Sequence, residues 1–142
     1  MRLLKWPLVV AVLVVVGRVL AEQAGLPDSI NNLLSAVALH AVIAPVYFAI
    51  RIATGGIPRP YLAQFALTGL YVVLVRAMLI PTYWLARVYD WPQQRFGGVA
   101  GTSPLIGLVA VPFGTAAFWI FASLVFGGVL GSIIIAVMRW LR

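Results

Sequence analysis

The chain has 142 residues, 63% of them hydrophobic and only 9% charged, with mean hydropathy +1.07. A soluble domain is about 25% charged and needs that surface to stay dispersed in water, so composition excludes a soluble domain beside the apolar segments. Ten Lys/Arg against three acids give a formal charge of +7. A nucleic-acid partner would require those basic residues to cluster on one face. They stand instead at the ends of apolar runs, where they set topology and meet anionic head groups, so the expected partners are membrane lipids and not nucleic acid.

The absence of cysteine removes disulfides, thiolate nucleophiles and iron–sulfur ligation. A single histidine removes bis-histidine haem ligation within one copy. No metal and no cofactor is expected.

In chain order, residues 1–21 carry a basic head (Arg2, Lys5), an apolar body and a small-residue stretch at Val19-Leu20-Ala21. This pattern fits a signal peptide. It also fits a first span over 3–21, with Arg18 reaching back to the interface. The charge of Arg18 beside the cleavage-like stretch favours the retained span. Glu22 to Ser29 reads as a polar link, with Asp28 or Ser29 placed to cap the next helix.

A second span is expected over 30–53, with Pro45 kinking it or releasing a carbonyl near Ala41. The TGGIPRP stretch from Thr54 to Pro60 is a turn. The third span, 61–87, contains Pro81, with Trp84 and Tyr89 as interfacial aromatics. Asp90 to Ser103 is the most polar and Gly-rich connection.

The apolar remainder, 104–138, would make roughly 50 Å of continuous helix, against a hydrocarbon core of about 30 Å. Pro112-Phe113-Gly114 offers a break. It divides this stretch into a short interfacial or re-entrant helix over 104–111, with Ser103 as its cap, and a last span over 115–138. The fold class is therefore an all-α integral membrane protein, a single domain built as a bundle of four transmembrane helices. Six basic residues (Arg2, Lys5, Arg51, Arg59, Arg139, Arg142) against three (Arg18, Arg87, Arg95) place both termini in the cytoplasm of a bacterial inner membrane.

Two polar residues lie deep in apolar runs. An arginine there costs several kcal/mol on insertion scales unless paired or hydrated. His40 and Arg76 each sit roughly 14–15 Å below the same interface by the helical rise. Helices joined by a short turn are antiparallel neighbours, so the two share one layer. Whether their faces meet is open at this stage. Two cations would repel, so His40 should be neutral and able to accept from the guanidinium. Glu22, Asp28 and Asp90 all lie in connections, which leaves no intramembrane acid for Arg76. The candidate polar site is thus His40 and Arg76, with Tyr71, Tyr47 and Gln64 as neutral neighbours, set against the plainer reading of a snorkelling arginine and a single interhelical bond. An acid supplied by another subunit is the third option.

Ser123, Gly127 and Gly131 recur at spacing four and read as a helix-packing face, either within the bundle or between copies. No paired carboxylates, zinc motif, phosphate loop or serine elbow appears, which points away from an enzyme. The first expectation is a membrane transporter or channel component for an anionic or amphipathic solute, assembled as a homo-oligomer. The alternatives are an accessory subunit bound to other membrane proteins and a lipid-modifying enzyme.

Overall fold

The computed structural model describes residues 2–27, 35–91 and 99–141. Four long apolar helices form one bundle: α1 (Arg2–Gln23), α2 (Ala36–Gly55), α3 (Pro60–Val88) and α4 (Ile106–Trp140). Each is long enough to cross a bilayer. The chain is an integral membrane protein with an all-α, four-span architecture, and its outer face is apolar and suited to contact with lipid. The proposed caps Asp28 and Ser29, the first residues of the expected second span, Arg95 and Arg142 lie outside the described residues.

The helices run up and down. α4 packs against both α2 and α3, α2 packs against α3, and α1 leans mainly on α3. At one end, Gly56 closes α2 in the left-handed conformation (φ 62°), and Arg59 (φ 50°) leads directly into α3. Arg139 near the end of α4 donates to the Ile57 carbonyl in that same turn, at 3.4 Å. At the other end, Asp90 (φ 48°) stops α3 and makes an ion pair with Arg87 at 3.8 Å. The Asp90 carboxylate also accepts from the Gly101 N–H at 3.2 Å, which ties the two flanks of the connecting loop.

Three boundaries differ from expectation. First, α2 begins at Ala36, because Ser35 takes the capping role: its hydroxyl accepts from the Ala38 N–H at 3.2 Å. Second, α1 continues through Gln23 and buries Glu22, a residue assigned to a polar link.

The third concerns Pro112, where the helix does not break. α4 runs without interruption from Ile106 to Trp140, so the short separate helix over 104–111 is not formed. A proline clashes with the carbonyl four residues back and deprives it of a donor. Two local features absorb that cost here. Ile106–Ala110 widens into a π-turn, in which the Val111 N–H reaches the Ile106 carbonyl. The Leu108 carbonyl, four residues before Pro112, then accepts from Trp84 Nε1–H at 2.9 Å. Trp84→Phe should therefore destabilise the α3–α4 contact by about 1 kcal/mol, the net worth of one hydrogen bond. Unfolding in mixed micelles would measure it, with Trp84→His as the control that retains a donor. Ser103 does cap this helix, accepting from the Ile106 N–H at 3.4 Å.

The same device recurs in α2. Leu39–Ile43 is a π-turn closed by the Ala44 N–H on the Leu39 carbonyl, immediately before Pro45. Pro81, by contrast, sits on the exposed side of α3 and leaves that helix unbroken.

Without a hydrophobic driving force between helices in lipid, close packing and interhelical hydrogen bonds hold such a bundle. The Ser123/Gly127/Gly131 stripe faces inward and serves that purpose. A Cβ on Gly127 would lie 2.6 Å from Pro45 Cγ and 3.1 Å from the Ala41 carbonyl oxygen. One on Gly131 would fall on the Gln64 amide, and one on Gly128 on the Phe65 ring. The glycines are what let α4 approach α2 and α3 so closely.

Candidate functional site

The buried face of α3 repeats at helical spacing through Gln64, Thr68, Tyr71, Val75, Arg76 and Leu79. It presents a column of polar groups toward the bundle axis, and two separate polar layers result.

The first is centred on Gln64. Its Nε2 donates to the Pro45 carbonyl of α2 (3.1 Å), to Thr68 Oγ1 (3.3 Å) and to the Gly127 carbonyl of α4 (3.4 Å). Carbonyls only accept, so the nitrogen must be the atom facing them. Gln64 is fully buried and binds three helices together.

The second layer contains Arg76. Its guanidinium reaches His40 Nε2 at 2.6 Å, and His40 Nδ1 lies 2.7 Å from Ser123 Oγ. A guanidinium has only donors, so Nε2 accepts and the ring hydrogen is on Nδ1, which donates to Ser123. Neutral His40 thus relays the polarisation of Arg76 on α3 through α2 to Ser123, the middle residue of α4. The Trp119 ring completes the layer. Its centroid is 5.4 Å from Arg76 Cζ, and it meets the His40 ring edge-on at 6.1 Å. A cation over a desolvated indole gains up to about 2 kcal/mol. Arg76 is 4% exposed and His40 wholly buried.

This settles the rotation that helix depth left open: the two faces meet. The neighbours are not those expected. Gln64 sits three turns away along α3 and belongs to the other layer. Tyr71 is buried but turns toward α1, its hydroxyl donating to the Pro7 carbonyl at 3.3 Å, with its ring edge-on to Phe48. Tyr47 lines an apolar pocket of about 160 Å³ with Trp6, Pro7 and Leu39 between α1 and α2. None of the three is brought to Arg76. Ser123 and Trp119 take their place. Trp119 precedes Ser123 by four residues, so it continues the Ser123/Gly127/Gly131 stripe, and that spacing is the signal that could have found it.

Chemically, the relay does not arm Ser123. A nucleophilic serine needs a base to take its proton, yet Nδ1 already carries one and donates it. Turning the tautomer round would set two donors, ring N–H and guanidinium, against each other at 2.6 Å. What the site offers is a positive charge in a low-dielectric interior, hydrogen-bonded to a neutral ring. Among the described residues no carboxylate forms an ion pair with Arg76, and its Nε–H lacks a hydrogen-bond partner.

Beside this layer a groove of about 400 Å³ opens on the outside of the bundle between α3 and α4. Val73, Ala77 and Ile80 form one wall, Phe113, Ala117 and Ile120 the other, and Arg76 contributes the charged group on its lining. Comparison of the chain with protein families, curated proteins and solved structures finds no match.

Proposed function

We propose that the chain is a small membrane transport component that handles an anionic or amphipathic solute at the Arg76–His40 layer. One observation carries this reading: a buried guanidinium whose hydrogen-bond partner is neutral, on a side chain that lines a groove on the bundle surface. Intramembrane cations of this kind mark ligand paths or pair with an acid from elsewhere. The groove supports approach from the lipid phase and not along an aqueous pore, since Arg76 is otherwise sealed.

The finer assignments are part of the same proposal. Both termini are cytoplasmic in a bacterial inner membrane, as the basic residues suggest. Arg51 and Arg59 flank the α2–α3 turn, to which Arg139 is bonded, so the three share one end of the bundle. Anionic head groups meet these residues, and a homo-oligomer is the working assembly.

A second reading, an accessory subunit whose groove receives a partner helix bearing an acid, draws on the same uncompensated charge. Reconstitution into vesicles separates the two. The wild type should move a fluorescent anionic amphiphile between leaflets or across the membrane, and Arg76→Ala should abolish that movement while insertion stays intact. A wild type that moves no such solute, together with an Arg76→Ala chain that only loses association with other membrane proteins, would sink the transport reading.

A further inference from the structure

Resting on that reading, we infer that the α3–α4 groove is a lateral binding site for a single-chain amphiphile with a carboxyl head group, its oxygen accepting from the Arg76 guanidinium. Three observations combine. Apart from Arg76 the groove walls are wholly aliphatic and aromatic, with small residues on both, Ala77 on α3 and Ala116 and Ala117 on α4. Its volume of about 400 Å³ lies within the usual range of small-molecule sites, roughly 300–1,000 Å³. Among the described residues Arg76 supplies the one charged side chain on its lining, and it is more than nine-tenths buried.

Depth then selects the head group. Arg76 lies twelve residues before Val88, the nearer end of α3, which is roughly 18 Å along the helix axis. A phosphodiester stays ionised and would have to cross that apolar distance as an ion, at a large desolvation cost. A carboxylic acid travels in its neutral form and still presents oxygens that match a guanidinium. The acyl chain stays against Val73, Ile80 and Phe113, in contact with lipid on its outer side. One chain fits a groove bounded by single rows of side chains.

The test uses Trp119 as its reporter, in the full chain with Trp6, Trp91 and Trp140 replaced by Phe and Trp84 by His, which keeps a donor for the Leu108 carbonyl, reconstituted in vesicles. The probes are 2-bromohexadecanoate, a heavy-atom quencher, and its methyl ester; the chain has no cysteine for either to alkylate. The acid should quench Trp119 saturably, at about tenfold lower concentration than the ester, a ratio that corresponds to about 1.4 kcal/mol. Arg76→Gln should remove that preference. Ala117→Phe, which fills the groove without touching the relay, should weaken both probes, and Ala77→Leu repeats the test from the opposite wall should the first variant misfold. Equal quenching by acid and ester would overturn the inference, as would acid binding that ignores both groove-filling variants. Equal competition by a single-chain phosphate monoester would overturn the carboxyl assignment. If no acid binds while Arg76-dependent movement of another anion persists, this inference fails and the transport reading stands.

Discussion

His40→Leu should destabilise the bundle by about 3–5 kcal/mol, the largest loss expected from any single side chain here. The reason is not the worth of the Arg76–His40 bond itself. Leucine takes from the buried guanidinium the acceptor that His40 Nε2 provides, and a buried donor left unsatisfied costs more when it carries a charge than the about 1–3 kcal/mol of a neutral one. Ser123 would lose its donor as well, at 2.7 Å from Nδ1. Arg76→Met in the same background should recover a large part of the loss, because the charge then leaves along with its partner. A double-mutant cycle on unfolding free energy in mixed micelles would measure this, with a coupling of about 0.5–3 kcal/mol expected for groups in contact. Additive single effects would mean that the two side chains do not share the layer. His40→Gln is the informative intermediate. Its amide oxygen can accept from the guanidinium, so it should cost less than leucine.

Gly131→Ala should rank second. Its new methyl would fall on the amide of Gln64, which holds α3 to α2 and α4. Overpacking costs typically about 1–3 kcal/mol, and a displaced amide leaves buried carbonyls short of a donor, adding about 1–3 kcal/mol. Gly114→Ala is the control on the same helix, since a Cβ there meets nothing within 4 Å. It should be neutral or slightly stabilising, by up to about 1 kcal/mol, as expected when alanine replaces glycine in a helix. The same unfolding assay compares the two. Equal effects at both positions would show that helix propensity, and not the approach of α4 to Gln64, governs this face.

How much of this was legible from the chain depends on the range of the interaction concerned. The four spans were, because twenty apolar residues announce themselves without any tertiary partner. The common depth of His40 and Arg76 was too, since it needs only the helical rise and one short turn. Their contact was not: it depends on the rotation of two helices about their own axes, which the π-turn in α2 alters locally. Proline was misread at Pro112 for a related reason. Its local cost was correctly felt, but the donor that answers the Leu108 carbonyl stands 24 residues earlier, on Trp84. The polar neighbours were misassigned because residue type carries no azimuth. Gln64, Tyr71 and Tyr47 are each polar and near the bundle, yet they point at three different places.

The π-turn over Leu39–Ile43 has a consequence for phase. Beyond it, the buried residues of α2 come in pairs at intervals of four: Ala44 and Pro45, Phe48 and Ala49, Ile52 and Ala53. At its start, the buried pair is Leu39 and His40, one residue further back than that interval would place it. At 3.6 residues per turn, one residue is worth about 100° of azimuth. Wound as an unbroken α-helix through the same positions, α2 could keep Phe48 and Ile52 in the core only by swinging His40 a quarter-turn aside. The wide turn works as a phase-shifter, letting one helix serve two differently oriented contacts: apolar packing along its second half and an imidazole aimed at Arg76 in its first.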